Sequence, residues 1–406
     1  MTASPVTAAL RIGLVTPAWP GHRTANGIAT VVTHIAAGLE ACGHEVTIIA
    51  LAADGPPGAA RVVAVPAPAP GLLDRLRLRL RPGDGSVLHR LHGLRIAAAV
   101  TEAVRRHGIE VVVMEETFGW AGTVRDAVAI PVVATLHGPW WLHTAVEGSG
   151  NAREDAWREA REAAALRRVD GITAPSRDVL ERTRTLWGLP DVPQAVIPNP
   201  MPVGQAAAGP PPGPADPERL LFVGRFDRIK GGDVVIEAFA RLAPLHPGCR
   251  LTFVGPDRGI GLPGGGRLFL QEAVARLPAA VRARIDILGP RSREEVAALR
   301  GAHGIAIVAS RYETFGGTMA EAMAAGSALV CTRVGGCPEM LSDGETGLLV
   351  PPEDPGAIAA ACLRLLQDPP LAARLGAAAR QHIAATLDPA AIGRQMAAFL
   401  APICRR

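Results

Sequence analysis

Short apolar runs alternate along the chain with longer segments whose apolar residues recur at helical spacing. Uninterrupted runs rich in Val and Ile are typical of parallel strands that are covered on both faces. In the first half of the chain, such runs predict strands at 11–19, 45–51, 61–67, 110–115, 131–138, 171–176 and 194–200. Helical patterns lie between them, for example at 27–42, 93–107 and 151–168. This β/α alternation predicts an α/β fold with a doubly wound parallel sheet.

A segment rich in proline and glycine, 198–218, interrupts the alternation, because proline neither continues a helix nor fits a central strand. It reads as an interdomain linker. The strand pattern then restarts at 219–227, 250–256, 284–290, 304–310, 328–336 and 347–352, and helical patterns follow at 356–367, 370–385 and 389–402. We therefore expect a domain over 1–200, a linker over 201–218, a second domain over 219–385 and a C-terminal helix over 386–406 that packs back toward the first domain. Two such domains are expected to face a cleft with the carboxyl ends of their strands.

Composition narrows the class of protein. The 406 residues are enough for about two domains, and 48% hydrophobic with 20% charged residues is typical of a globular chain. The net charge of +4 and the lack of a long basic tail do not indicate a nucleic-acid partner. The six cysteines form no CxxC pair, and scattered thiols suit a reducing, cytoplasmic location. Neither a signal peptide nor an apolar run of about 18 residues is evident.

Two cations follow the first strand of the second domain. In VGRFDRIKGGDVVIEAF, the strand ends at Gly224, and Arg225 and Lys230 come before a helix that is expected to start near Asp233. The planar fork of arginine and the compact charge of lysine both suit phosphate oxygens. This stretch therefore predicts an anion clamp, although a surface loop with ordinary charges would explain it in isolation.

A second stretch, RYETFGGTMAEAMAAG at 311–326, places two glutamates around a glycine loop. Gly316, Gly317 and Thr318 precede or open a helix, where unpaired amides and a partial positive charge favour phosphate. Glu321 is expected within about the first turn, where acids are also favoured simply as helix-start residues. A carboxylate also accepts hydrogen bonds from vicinal ribose hydroxyls, so Glu313 and Glu321 would flank a nucleoside diphosphate and not face its phosphates.

These motifs together resemble the retaining glycosyltransferases of family 4, which have the GT-B fold of two Rossmann-like domains. The E-x7-E pattern is present as Glu313 to Glu321, and the G-R-x4-K-G pattern runs from Gly224 to Gly231. Other segments typical of the family are APS at 174–176, VIPNP at 196–200, GGCPEML at 335–341 and DGETGLLV at 343–350. The resemblance covers nearly the whole chain and implies that the N-terminal domain binds the acceptor and the C-terminal domain the nucleotide-sugar donor.

The resemblance also implies a role for individual residues. Arg225 and Lys230 would bind the diphosphate and neutralise the leaving group. Glu321 would bind the ribose hydroxyls, and Glu313 would contact hydroxyls of the transferred sugar. His137, at the end of a first-domain strand, would lie close to the donor sugar, although a satisfied polar residue at a strand end is the alternative. Backbone amides near the sugar and diphosphate would come from Phe315, Gly316 and Gly317.

The sequence departs from the family pattern at three places. Asn26-Gly27 stands where the family carries a Gly-Gly pair; asparagine tolerates left-handed backbone, and Gly27 is carried over as a donor-binding residue. Pro200 follows Asn199 in place of glycine, away from the site. The segment VVMEETFGW replaces an Asp and a His of many members. Its Glu115, Glu116 and Trp120 would face an acceptor of a different shape, or belong to an ordinary strand-end loop.

The implied reaction is transfer of a sugar from a nucleotide-sugar to an acceptor hydroxyl, with retention of configuration and without a metal or other cofactor. The sequence leaves the acceptor open among sugars, lipids and metabolites. The basic-apolar stretch 72–95 suggests a peripheral membrane contact at the inner membrane face, with a solvated helix or strand edge as the alternative. An epimerase or hydrolase of the same fold and a non-catalytic nucleotide-sugar-binding protein are the competing functions. No convincing G-x-G-x-x-G follows the first strand with an acid about 20 residues on, so a dinucleotide dehydrogenase is not supported.

Overall fold

A computed structural model describes residues 9–20, 26–53, 61–67, 71, 85–148, 151–202, 215–262 and 264–405 of the chain. The chain divides into two compact units. The first comprises Met1–Trp141, Ser149–Pro200 and Pro389–Arg406, and the second comprises Leu142–Gly148 and Met201–Asp388.

The first unit contains a seven-stranded parallel sheet. Its strands are β1 (Arg11–Thr16), β2 (Glu45–Ala50), β3 (Arg61–Ala64), β4 (Val111–Glu115), β5 (Val132–Thr135), β6 (Gly171–Ala174) and β7 (Gln194–Val196). They are ordered β3-β2-β1-β4-β5-β6-β7, and every pairing is parallel. The chain turns back after β3 and re-enters the sheet beside β1, so β1 and β4 flank the point where the strand order reverses.

Helices connect these strands, and the apolar residues of each helix recur on one face. They are α1 (Gly27–Ala41), α2 (Gly85–His107), α3 (Trp120–Ala127), α4 (Trp140–Glu147), α5 (Ala152–Leu166) and α6 (Arg177–Trp187), with a 3₁₀ turn at Thr117–Gly119. On α1, Val32, Ile35 and Leu39 are buried at helical spacing. They join the core formed by the central strands.

The second unit contains a six-stranded parallel sheet and a small antiparallel ribbon. The sheet strands are β8 (Asp216–Val223), β9 (Arg250–Val254), β12 (Ile285–Gly289), β13 (His303–Val308), β14 (Ala328–Thr332) and β15 (Leu348–Val350), and the ribbon strands are β10 (Ile260–Gly261) and β11 (Arg267–Leu268). The sheet order is β12-β9-β8-β13-β14-β15. The strand order therefore reverses between β8 and β13.

The remaining helices complete this unit and end the chain. They are α7 (Gly232–Leu242), α8 (Leu270–Ala275), α9 (Ala279–Arg282), α10 (Arg293–Ala302), α11 (Gly317–Ala325), α12 (Cys337–Met340), α13 (Pro355–Gln367), α14 (Pro369–Thr386) and α15 (Pro389–Cys404). The last of them, α15, belongs to the first unit, where Ile392, Met396 and Leu400 are buried in the same core as Ile12 and Leu39.

The predicted α/β class with doubly wound sheets is confirmed, but several predicted bounds are wrong. Helix α2 begins at Gly85 and not at 93, and residues 72–84 of the predicted membrane stretch lie outside the described residues. Strand β8 begins at Asp216, inside the predicted linker 201–218. The prediction placed the start of this strand too late because its first residues are exposed and carry no apolar pattern. Residues 203–214 of that linker also lie outside the described residues.

The predicted first domain, 1–200, differs from the first unit at 142–148. This segment packs with the second unit because Val146 O accepts a hydrogen bond from Arg228 Nε at 2.9 Å, and Glu147 Oε1 accepts one from Ile229 N at 3.2 Å. Where the chain is described, none of its helices combines the length and apolar character needed to cross a membrane.

Candidate active site

The cations predicted after β8 and the glutamate predicted after β13 come together at the point where the strand order of the second sheet reverses. Lys230 Nζ lies 2.5 Å from Glu313 Oε1, and Ser310 Oγ donates a hydrogen bond of 2.6 Å to the same oxygen. Lys230 and Glu313 are 83 residues apart in the chain, and the adjacency of β8 and β13 places them together. Ligands of open α/β sheets bind at this type of position.

The loop between β8 and α7 is held by Asp227, which the sequence interpretation missed. Its Oδ2 accepts a hydrogen bond from Arg225 Nε, and its Oδ1 accepts one from Lys230 N at 2.9 Å. The sequence did contain a signal for this role, because aspartate side chains in turns commonly accept a hydrogen bond from a backbone N–H a few residues later. Asp227 thus orients the Arg225 guanidinium through Nε. The two terminal nitrogens of Arg225 carry the remaining N–H donors of the guanidinium.

Gly231 brings this loop against the end of β13. Its φ is +68°, and a Cβ atom on this residue would lie 2.0 Å from the carbonyl oxygen of Ala309. Only glycine fits a left-handed conformation at such a distance. This close contact with Ala309 holds Lys230 beside Glu313, because Ala309 and Glu313 both follow β13. Gly224 precedes the loop and donates its N–H to Val254 O at 2.9 Å.

The N-terminus of α11 lies directly after Glu313. The helix begins at Gly317, and no side chain of the described residues caps it at Gly316. Phe315 is buried in the core beneath the helix, whereas in the first turn Gly317 is exposed and Thr318 is half-buried. The first amides of α11 therefore keep the capacity to bind an anion.

Glu321 is the fifth residue of α11, about one turn from the start of the helix at Gly317, as expected. Its Oε2 is 2.7 Å from Arg300 Nη2, and its side chain is 48% exposed whereas that of Arg300 is 4% exposed. Arg300 is a second residue that the sequence interpretation missed, since its helix, α10, carries no recognisable motif. The contact anchors Glu321 while leaving its carboxylate accessible.

In the first unit, a small pocket lies where the strand order reverses, between β1 and β4. Its apolar wall comes from Leu14, Val15, Ile28, Val32, Ile35, Val113 and Met114. Its polar side chains are Glu115, Thr135 and His137. Burial lowers the pKa of His137 to about 4, so its imidazole is neutral near pH 7.

Glu116 and Trp120, for which the sequence suggested acceptor contact, have structural roles. Glu116 is fully buried, and its oxygens accept hydrogen bonds from the N–H groups of His137 at 2.9 Å and Gly138 at 2.7 Å. Trp120 is buried against His89 and donates its indole N–H to His89 O at 3.1 Å. Their expected role is therefore wrong, because these contacts enclose both side chains. Glu116 instead fixes the backbone that carries His137.

The predicted donor-binding residue Gly27 is the first residue of α1. Asn26 precedes it in an extended conformation, with φ −118°, and its side chain accepts hydrogen bonds from Ile28 N and Ala29 N. Asn26 thus caps α1 through its side chain and does not use the left-handed backbone that asparagine tolerates. Because the side chain already satisfies two amides, α1 offers fewer free donors to an anion than α11 does. Residues 21–25 of the same loop lie outside the described residues.

Comparison with known proteins fits this architecture. The sequence profile described as Glycosyltransferase Family 4 matches residues 25–204, and the profile described as Glycosyl transferases group 1 matches residues 210–382. A D-inositol 3-phosphate glycosyltransferase from Corynebacterium efficiens is 32% identical over 307 residues, which are 70% of each chain. The chain belongs to the family 4, or group 1, glycosyltransferases. The family resemblance noted in the sequence motifs is thereby confirmed.

Two further relatives show how broad this family is. A D-inositol 3-phosphate glycosyltransferase from Nocardiopsis dassonvillei is 32% identical over 268 residues, which are 64% of this chain and 62% of the relative. A glycogen synthase from Mycobacterium tuberculosis H37Rv is 31% identical over the same number of residues, which are 60% of the relative. The chain thus spans about 60% of the length of these two relatives, which have different names within the family.

Solved structures show the same fold at low sequence identity. A sucrose-phosphate synthase from Thermosynechococcus elongatus matches with a TM-score of 0.71 and 24% identity over 97% of this chain and 99% of that one. Anabaena HepE in complex with UDP-glucose matches with a TM-score of 0.68 and 17% identity over 97% of this chain and 100% of that one. The predicted GT-B fold class is confirmed.

The described residues contain no group of three or more His, Cys, Asp or Glu side chains that could hold a metal ion. The absence of a metal or other cofactor from the reaction stays a prediction.

Proposed function

We propose that this protein transfers a sugar from a nucleoside-diphosphate sugar to an acceptor hydroxyl. The observation that carries the proposal is the meeting of Lys230 and Glu313 beside the N-terminus of α11, at the point of strand reversal in the second sheet. A cation beside helix amides suits a diphosphate, and a carboxylate beside the cation suits sugar hydroxyls.

In this proposal each polar group binds one part of the donor. The terminal nitrogens of Arg225 and the Nζ of Lys230 bind the diphosphate, together with the amides of Gly317 and Thr318. Glu313 accepts hydroxyls of the transferred sugar, and Glu321, held by Arg300, accepts the ribose hydroxyls. Because Asp227 and Glu313 already contact the two cations, the site is ordered before the donor enters. Preorganised donors of this kind stabilise charge without reorganisation during the reaction.

The leaving nucleoside diphosphate gains charge in the transition state, and Arg225 and Lys230 stabilise it. Each donor is expected to contribute on the order of 3 kcal/mol to lowering the barrier. The expectation from the family resemblance that His137 lies near the transferred sugar stays a prediction. We further propose that configuration is retained through attack on the same face, that the leaving phosphate helps to deprotonate the acceptor, and that no metal takes part.

The solved Anabaena relative was crystallised with UDP and with UDP-glucose, which supports a nucleotide-sugar as donor. The named relatives act within glycogen, sucrose-phosphate or inositol-phosphate chemistry, which supports a sugar or polyol acceptor class. A hexose as the transferred sugar and a cytoplasmic location, consistent with the free cysteines, belong to the same proposal. Peripheral membrane contact through 72–95 also stays a proposal, which vesicle flotation with and without anionic lipid tests.

A thermal-shift screen of UDP, GDP, ADP and their hexose conjugates tests the donor assignment, since a ligand that binds only the folded state raises Tm. The conjugate that raises Tm is then incubated with candidate acceptors in the presence of EDTA, and NMR reports the anomeric configuration of the product. We expect turnover with EDTA and an unchanged anomeric configuration. Stabilisation by none of these ligands, or an inverted product, would contradict the proposal.

A further inference from the structure

Arg311 is an arginine of the second unit that the proposed donor chemistry does not use. It follows β13, and its side chain is only 10% exposed. Its guanidinium donates four hydrogen bonds, from Nη1 and Nη2 to the two carboxylate oxygens of Asp233 at 3.0 and 2.9 Å, from Nη1 to Arg228 O at 2.7 Å, and from Nε to Glu353 Oε1 at 2.7 Å. A guanidinium has five N–H groups, so nearly all of its donors are committed within the protein.

These contacts make Arg311 a poor ligand for a phosphate. Its positive charge is balanced by the carboxylates of Asp233 and Glu353. A phosphate that approached the guanidinium would have to replace hydrogen bonds that the protein already makes, and it would meet two carboxylates. The role of Arg311 therefore lies in the groups that it holds in place.

The groups that Arg311 holds include the backbone directly before Lys230. Its side chain binds the carbonyl oxygen of Arg228, and its own N–H donates to Ile229 O at 2.8 Å. On the other side of Lys230, Gly231 is fixed by its close approach to the end of β13. The backbone on both sides of this lysine is thus tied to the segment that follows β13.

The same guanidinium joins this loop to two further elements. Asp233 lies in the first turn of α7, so Arg311 also fixes the helix that ends the loop. Glu353 follows β15 and has a left-handed φ of +56°, which is uncommon for a residue other than glycine and persists where surrounding contacts determine it. Its Oε1 atom also lies 3.7 Å from Arg228 Nη2. Arg311 therefore connects the segments that follow β8, β13 and β15.

We infer that Arg311 is a positioning residue, which fixes the loop after β8 so that Lys230 stays at the diphosphate while the leaving group gains charge. The inference rests on the proposed function, because Arg311 acts on the donor only through the cation beside it. A preorganised cation loses its effect when it moves, and a displacement of about 1 Å in a catalytic site can cost about 10²-fold in rate.

The test measures the affinity of the full chain for UDP, GDP, ADP and inorganic pyrophosphate by calorimetry. Pyrophosphate has neither base nor ribose, so its affinity reports on the diphosphate-binding groups alone. Turnover is measured as release of nucleoside diphosphate from the hexose conjugate of the nucleotide that binds. The Tm of each variant reports whether it folds, and all titrations are made well below the lowest Tm.

Two variants of Arg311 are compared with a matched control. Arg311→Met removes the guanidinium, and Arg311→Lys keeps the charge but cannot bind a carboxylate through two parallel hydrogen bonds. The control is Arg284→Met, because the Arg284 guanidinium also joins separate segments, donating to Ala243 O and Pro247 O at 2.8 Å, and precedes β12 at the amino ends of the strands. Each of the three is also made in a Lys230→Met background.

We expect Arg311→Met to weaken the affinity for pyrophosphate and nucleoside diphosphate about tenfold and to lower turnover about 10²-fold. Arg311→Lys is expected to fold and to lose about threefold in affinity. Arg284→Met lowers Tm and leaves affinity within about twofold of the wild type. In the Lys230→Met background, Arg311→Met still lowers Tm but weakens affinity less than about twofold, because the cation through which it acts is gone.

The outcomes separate this inference from the proposed function. Wild-type affinity in both Arg311 variants, an equal loss in Arg284→Met, or the same loss with and without Lys230 would overturn the positioning role. If the wild type binds pyrophosphate but no nucleoside diphosphate, the proposed function fails, and the pyrophosphate titrations still decide the role of Arg311. If the wild type binds none of the four ligands, both fail.

Discussion

Replacement of Lys230 by Met separates the structural and the catalytic consequences of its contact with Glu313. The contact joins Nζ and Oε1 at 2.5 Å, with side chains that are 22% and 9% exposed. Without the lysine, Glu313 keeps its hydrogen bond from Ser310 but loses its countercharge. A buried carboxylate without a countercharge is costly, so we expect the variant to be destabilised as well as slow.

The magnitude follows from the partial burial of the pair. Breaking a fully buried ion pair costs about 3–5 kcal/mol, and an exposed pair contributes about 0–1 kcal/mol. We therefore expect Lys230→Met to lower the free energy of unfolding by about 2 kcal/mol and Tm by about 4–8 °C for a unit of this size. Turnover is expected to fall about 10²- to 10³-fold through loss of one preorganised donor.

The double variant Lys230→Met/Glu313→Gln distinguishes the two effects. Glutamine keeps a hydrogen-bond acceptor for Ser310 and removes the unpaired charge, so the double variant regains stability while turnover stays low. The assays are denaturant unfolding and release of nucleoside diphosphate from the donor. Arg241→Met, which breaks an exposed pair with Glu237, is the matched control and changes neither readout. Wild-type turnover in either Lys230 variant would refute the donor assignment, and unchanged stability in Lys230→Met would refute the energetic reasoning.

Three further predictions test other parts of the structure. Gly231→Ala is expected to cost about 2 kcal/mol or more, because its Cβ would meet a strand carbonyl at 2.0 Å, whereas Gly43→Ala, with a left-handed φ of +84° but open space around it, costs about 1 kcal/mol; unfolding midpoints compare them. Arg300→Met is expected to weaken nucleoside-diphosphate binding about tenfold in calorimetry, since the ribose-binding carboxylate loses its anchor; equal affinity would contradict that role. Burial and Glu162 raise the pKa of Glu115 from 4.5 to about 7, so its protonated form stabilises the fold below pH 4.5, and this contribution is lost as the pH rises through about 7. Between pH 4.5 and 8, the free energy of unfolding is therefore expected to decline less steeply in Glu115→Gln than in the wild type. Parallel pH profiles of the two proteins would contradict this prediction.

The sequence predicted the sheets and half of the site for a physical reason. Runs of Val and Ile indicate strands that are buried on both faces, and parallel strands carry their functional loops at their carboxyl ends. Arg225, Lys230 and Glu313 follow two such strands, so their meeting needed only the adjacency of β8 and β13. That adjacency is a property of the doubly wound topology.

Other features were hidden because they depend on packing and not on a local pattern. Arg300 reaches Glu321 from a neighbouring helix, and no spacing in the sequence connects these two residues. Glu115 and Glu116 are adjacent and identical in type, yet Glu116 accepts hydrogen bonds from backbone amides, whereas Glu115 Oε2 has no partner within the described part of the chain. The sequence prediction assigned the start of β8 to the linker, because the first residues of this strand are polar and exposed and show no alternation with apolar residues. In each case the environment of the side chain decides its role.

Calorimetric titration of UDP, GDP and ADP into the full chain and into Arg225→Met tests the central claim most directly. We expect at least one of these nucleotides to bind the wild type, and the same nucleotide to bind Arg225→Met at least about tenfold more weakly, because the guanidinium that Asp227 orients no longer contacts the diphosphate. Binding of none of the three, or equal affinity in the two proteins, would contradict a donor site at the strand reversal of the second unit.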